Sequence, residues 1–241
     1  MKAFVLAQVS GFCLAVAAGS TPANAALQIA IDVGGGPAFT CVDQAACDLN
    51  PAIGVLQIGE TTIDGVELNG SIQFSGRSPN VLSTSSLFIH NTAGVARTGE
   101  AVVSDTDFIG PVSELSLSGA GTWSLAGGST TTNRWFADAA NGQGGGPGLL
   151  TPGTLLDTFS STALGPADSY SHDALEPFAA AGPFSMTEQV DLTLTPGAFL
   201  VNRGQTMTAV PEPSTWAMIA LGFGVLSIAA GRRRPRQARH A

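Results

Sequence analysis

The sequence predicts an all-β protein, an antiparallel two-sheet sandwich with jelly-roll character. Three observations lead there. Apolar residues recur at every second position in several short runs, and Gly, Pro, Asn and Ser separate those runs. No stretch before residue 214 carries a capped 3.6-residue apolar stripe of the kind that marks a helix. Period-two alternation means half-buried strands, and many short strands at close spacing favour a sandwich or jelly roll.

The elements are taken in chain order. Leu27, Ile29, Ile31 and Val33 alternate with polar or small residues and predict the first strand. Val66, Leu68, Ile72 and Phe74 predict a series on one face, with Gly70 inside it. Further strands are expected over 81–90, 101–103, 112–117, 121–125, 190–194 and 198–201. Asn69-Gly70-Ser71 fits a glycosylation sequon, but Asn-Gly is also a hairpin signal, and the turn is the favoured reading. The Gly-rich run 141–148 is expected to have little order, within long surface loops spanning 142–183.

Both ends differ from this middle. Lys2, an apolar stretch over 3–18 and Ala23-Asn24-Ala25 have the three-part layout of a secretory signal cut after Ala25. At the other end, 214–231 holds no charge and as a helix would span about 27 Å, marginally a membrane core. Arg232, Arg233, Arg234, Arg236 and Arg239 come next and would keep that side in the cytoplasm. Three units are therefore expected: a signal peptide 1–25, an exported β-sandwich domain 26–209, and a C-terminal segment 210–241 containing one transmembrane helix, 214–231, and an Arg-rich tail, 232–241.

Residues 26–210 carry 17 acidic and four basic residues, and no Lys. So acidic a surface excludes a nucleic-acid footprint and repels anionic polymers. Cys41 and Cys47 lie six apart in an exported chain and predict a disulfide. Redox catalysis wants Cys-x-x-Cys, and a soft-metal site would need ligands beyond His90 and His172. No cofactor or metal is expected. Asp43 and Asp48 beside the cysteine loop, and Asp105 with Asp107, are the only seeds for a Ca²⁺ site, which needs six to eight oxygens.

No catalytic residue is assigned. The chain lacks a Gly-x-Ser-x-Gly elbow, a Ser-x-x-Lys pair, a His-Glu-x-x-His motif and a phosphate loop. Paired carboxylates for glycoside chemistry could come from Glu60, Glu67 or Glu114, though no spacing joins them. Trp123 and Trp135 are the candidate glycan contacts, set against the commoner fate of core packing.

Val210-Pro211-Glu212-Pro213 stands just before the apolar stretch. Its two prolines withhold donors and keep the backbone extended, a form in which a membrane-embedded protease can bind it. Pro-Glu-Pro, Ser-Thr-Trp, a Gly-interrupted apolar span and a terminal Arg cluster occur in that order over 210–241, and the array resembles the PEP-CTERM sorting signal. The resemblance implies an exported protein of a Gram-negative bacterium. The partners it implies are the secretion translocon, signal peptidase and exosortase, with the membrane held through the C-terminal helix before processing. The tail would be cut near 211–213, and an inner-membrane intermediate would give way to a cell-surface or extracellular-matrix protein associated with exopolysaccharide and biofilm. Within that frame the expected role is a non-catalytic surface or matrix component. The alternatives are a carbohydrate-binding module using Trp123 or Trp135, and a secreted hydrolase.

Overall fold

The computed structural model describes residues 27–69 and 71–210, together with Leu221. The signal segment with Ala23 and Ala25 lies outside the described residues. So do Pro211, Glu212 and Pro213, the 214–231 span apart from Leu221, and the arginines Arg232, Arg233, Arg234, Arg236 and Arg239.

Eight long strands form the body: β7 (Asn80–Asn91), β8 (Arg97–Phe108), β9 (Val112–Ser124), β10 (Thr130–Asp138), β11 (Thr154–Thr162), β12 (Ala167–Ala180), β13 (Phe184–Leu194) and β14 (Phe199–Val210). They lie in two sheets, ordered β12-β9-β14-β7 and β11-β10-β13-β8, with every pair antiparallel. Successive strands change sheet at each step except between β10 and β11. The result is the double Greek key of a jelly roll. β1 (Gln28–Val33) and β2 (Phe39–Val42) extend the second sheet beyond β8. β3 (Val55–Ile58), β4 (Thr61–Ile63), β5 (Val66–Asn69) and β6 (Ser71–Arg77) extend the first beyond β7.

Alternation puts the core between the sheets. On β9, Leu115, Leu117 and Trp123 are buried, while Ser116, Ala120 and Thr122 face out. On β13, Glu188, Val190, Leu192 and Leu194 face in. Two glycines of β9 make room for rings, one from β10 in the facing sheet and one from the adjacent β12. A Cβ on Gly119 would lie 3.0 Å from the Trp135 ring, and one on Gly121 would lie 2.6 Å from Tyr170. Small residues on one strand thus admit large ones from another, as close packing requires.

Several expectations are corrected. The 142–183 region holds two long strands, β11 and β12, rather than surface loops. Both are edge strands whose alternating positions are filled mainly by Ser, Thr, Ala and Asp, so their period is faint in the sequence. The 141–148 run is ordered by hydrogen bonds: the Gly144 amide donates to Ser104 Oγ (3.0 Å), Gln28 Nε2 donates to the Gly144 carbonyl, and Gly145 and Leu150 exchange backbone bonds. The hairpin expected at 69–71 is not formed between the flanking strands, because β5 and β6 run on in one direction along β7. The tight turn is Asp64-Gly65, where both residues have positive φ (43° and 77°), as a two-residue type I′ hairpin needs.

The single face expected for Val66, Leu68, Ile72 and Phe74 also breaks. Val66 and Leu68 are buried, yet among the described side chains of β6 the buried ones are Gln73 and Ser75, and Phe74 is 45% exposed. The partner strand changes over with it, from Ile89 and Asn91 buried to Leu82 and Thr84 buried. A one-residue change of parity moves a whole side-chain set to the other face. β14 makes the same change at a bulge holding Asn202 (φ 51°), after which Arg203 and Gln205 point inward.

Candidate functional site

The chain's sorting segment begins at the end of the described sandwich. β14 stays paired to its last residue: Ala209 lies opposite Leu115 and Val210 opposite Glu114 on β9. Pro211 comes at once after it. A protein-family model, the PEP-CTERM protein-sorting motif, matches residues 209–234. The chain carries a PEP-CTERM sorting motif. The motif indicates an exosortase-dependent route to the cell surface or beyond, typical of Gram-negative bacteria, and implies translocon, signal peptidase and exosortase as handling partners. Its first two residues, Ala209 and Val210, belong to the sandwich as well.

Trp123 and Trp135 are withdrawn from the surface. They are 1% and 0% exposed, inside the core beside Tyr170 and His172, so no ring face remains for a sugar. The rings on the outer face of the eight-stranded sheet are different ones. Ile89 and Leu200 point into the core, so their neighbours Phe88, His90 and Phe199 point out. His90 and Phe199 are directly opposite on β7 and β14 and stack at 3.8 Å between centroids. Phe88 closes on Phe199 at 5.4 Å. Glu67 stands opposite His90 on β5, with its carboxylate 3.4 Å from Nδ1. Ser124 and Thr62 continue the row to either side. Sequence reading missed this cluster because the two strands lie more than 100 residues apart. The only local signal was the Phe88-Ile89-His90 alternation.

The cysteine loop closes as expected. Cys41 and Cys47 are bonded, with Cα atoms 5.8 Å apart. The acids around it serve the backbone. Asp43 accepts the Gly54 amide (2.7 Å). Asp48 accepts the amides of Gln44, Asn50 and Gln57 (2.9–3.0 Å). Burial works against ionisation of Asp48, but those three bonds outweigh it and hold the carboxyl below its usual value. Asp105 is paired with Arg77 at 2.8 Å, and Asp107 accepts from Asn141. Among the described residues no group of three or more His, Cys, Asp or Glu could hold a metal ion. The Ca²⁺ seeds are thus occupied as loop caps and an ion-pair partner.

The hydrolase candidates do not converge. Glu60 lies between β3 and β4, Glu67 faces His90, and Glu114 stands opposite Val210 near the other end of the sandwich. His172 meets Asp157 at 2.5 Å but is stacked on Phe159 (4.6 Å) between the edge strands β11 and β12.

The strongest electrostatic perturbation is inside the core. Glu188 on β13 and Arg203 on β14 are both buried, near Tyr170, Thr84, Asn133 and Thr131. Burial pushes the Glu188 carboxyl up to about 8, although the Thr84 hydroxyl (2.7 Å) and the Arg203 charge favour ionisation. Burial likewise raises the Tyr170 phenol and lowers the Arg203 guanidinium. On the outer face of the six-stranded sheet, Asp32, Glu100 and Asp191 stand side by side on β1, β8 and β13. Burial and then the Asp191 charge raise the Glu100 carboxyl, against a hydrogen bond from Gln189 (2.8 Å).

No curated protein matches the chain. Among solved structures, one similar to it is a family 61 carbohydrate-binding module in complex with β-1,4-galactotriose, with 7% identity over 50% of this chain and 69% of that one, TM-score 0.32. Another is the C-terminal family 6 module of LamC, a marine laminarinase from Zobellia galactanivorans, with 11% identity over 64% and 98%, TM-score 0.25. A third is a module of Cellvibrio mixtus lichenase 5A in complex with cellotriose, with 12% identity over 63% and 92%, TM-score 0.24. At TM-scores this low the likenesses carry no functional weight; this chain's own residues do.

Proposed function

We propose that this is an exported, exosortase-processed protein whose acidic β-sandwich acts as a non-catalytic component of the cell surface or of an exopolysaccharide and biofilm matrix. The observation that carries this reading is the PEP-CTERM motif at 209–234, which opens on the last two residues of the last strand of a folded domain. A leader ending in Ala23-Asn24-Ala25 and the Cys41–Cys47 disulfide are in keeping with export. The chain would pass through an inner-membrane intermediate held by 214–231, then lose its tail at Pro211-Glu212-Pro213. Mass spectrometry of the native protein tests this. Exosortase-positive cells should yield a chain lacking the Arg232–Arg239 cluster, and exosortase-deleted cells a chain that keeps it. An intact C-terminus in both would overturn the proposal.

A second reading, carbohydrate binding, is favoured by the ring cluster on the outer face of the eight-stranded sheet. Phe88, His90 and Phe199 offer apolar surface for the C–H faces of sugars, and Glu67 offers hydrogen-bond acceptors for hydroxyls. In a pull-down on exopolysaccharide from the producing organism, Phe199→Ala should lose retention while keeping the parent melting temperature. Equal retention by parent and variant would sink this reading.

A further inference from the structure

The join between sandwich and sorting motif leaves almost no linker. Val210 is still paired with Glu114, and the uncharged 18-residue stretch starts at Ser214. The residues between reach at most about 14 Å when fully extended. The headgroup layer on each side of a bilayer is about 6 Å thick. Once 214–231 spans a membrane, the end of the sandwich from which β14 leaves must therefore stand at the lipid surface.

Three of the turns at that end, 78–79, 109–111 and 181–183, are clasped together, beside the 139–153 loop that Asp107 and Asn141 tie to them. Asn80 donates through Nδ2 to the Ile109 carbonyl (2.6 Å) and accepts the Ile109 amide through Oδ1 (3.0 Å). Gly110 lies so close to the next turn that a Cβ there would come within 2.5 Å of the Gly182 carbonyl oxygen. Beneath them Phe108, Phe184 and Phe178 are in ring contact (5.6 and 5.5 Å). None of residues 78–80, 108–113 or 177–187 is charged, the flanking carboxylates being Asp107 and Glu114, and Ile109 is 59% exposed. The rest of this domain is strongly acidic, with Asp32, Glu100 and Asp191 adjacent on an outer sheet face. Anionic lipid repels such faces. The opposite end carries the Asp64–Arg97 ion pair and Asp168, and β14 does not leave from it.

We propose that the rim formed by Pro79, Ile109, Pro111 and the 181–183 turn rests on the lipid headgroup surface while the sorting segment is in place. This rests on the reading of 214–231 as a membrane span. The cutting enzyme then meets Pro211-Glu212-Pro213 between a folded domain and the bilayer, not on a free tether.

The test uses the full chain with Cys13→Ser, in vesicles of phosphatidylethanolamine and phosphatidylglycerol. A nitroxide is placed at Ile109→Cys or at Gly182→Cys, where an added Cβ meets nothing within 4 Å. A control label goes at Val95→Cys, in the β7–β8 turn at the opposite end. Vesicle flotation is scored first, then collision of each label with a water-soluble nickel chelate and with oxygen. Bound chain should show a severalfold loss of nickel access at 109 and 182, and none at 95. A chain that floats with all three labels equally open, or equally shielded, overturns the rim contact but leaves the membrane span standing. A chain that does not float overturns both.

Discussion

Glu188 is buried against Thr84 of β7 and Arg203 of β14, and its folded-state carboxyl is raised from 4.5 to about 8. A carboxyl raised above its unfolded value contributes stability that is complete below about pH 4.5 and is lost as the pH climbs through about 8. A shift of that size corresponds to on the order of 5 kcal/mol over the window. Urea denaturation of the mature domain should therefore show stability falling between these pH values, with Glu188→Gln flattening the slope. An unchanged slope in the variant would remove Glu188 as the cause. Gly121 gives a second test of a single side chain. A methyl there would meet the Tyr170 ring at 2.6–2.7 Å, so Gly121→Ala should cost about 1–3 kcal/mol by overpacking. Gly182→Ala, where nothing lies within 4 Å, should leave the melting temperature unchanged.

Among the elements, the disulfide and the acids beside it hold one loop. Closing so short a loop contributes about 2 kcal/mol by chain entropy, so Cys41→Ala with Cys47→Ala should lower the unfolding free energy by about that much in denaturant titrations. Asp48→Asn weakens the acceptor for three amides. Hydrogen exchange at Gln44, Asn50 and Gln57 should quicken while exchange in β9 and β14 stays slow. Some elements were legible beforehand and some were not, for physical reasons. β1 and the second half of β13, 190–194, read clearly because strongly apolar residues mark their buried face. The expected strands at 112–117 and 121–125 proved to be one, β9, with Gly119 continuing the inward row, because what fills that position is the ring of Trp135 from another strand. β11 and β12 were missed because edge strands bury little and their small polar residues leave a weak period.

For the molecule as a whole, β14 is the central strand of its sheet, paired to both β7 and β9. A chain ending at Val210 keeps all of that pairing and should melt like the full domain. A chain ending at Asn202 loses both ladders along 203–210, together with Arg203 and Met207 from the core, and should not fold cooperatively. Circular dichroism melts of the two truncations distinguish them. The same strand joins fold to destination, since its last two residues open the sorting motif.

The PEP-CTERM address, the acidic Lys-free character of the exported domain, the all-β class and the cysteine pairing are written in contiguous residues or in their sum, and can be read without a fold. Only the assembled sheets reveal that Trp123 and Trp135 are core, that Phe88, His90 and Phe199 form the outward ring cluster, and that Glu188 and Arg203 are sealed between the layers. Alternation along a strand says that two faces differ. Which face is buried depends on strand pairing and on bulges such as the one at Asn202, and those are set by partners far away in the chain.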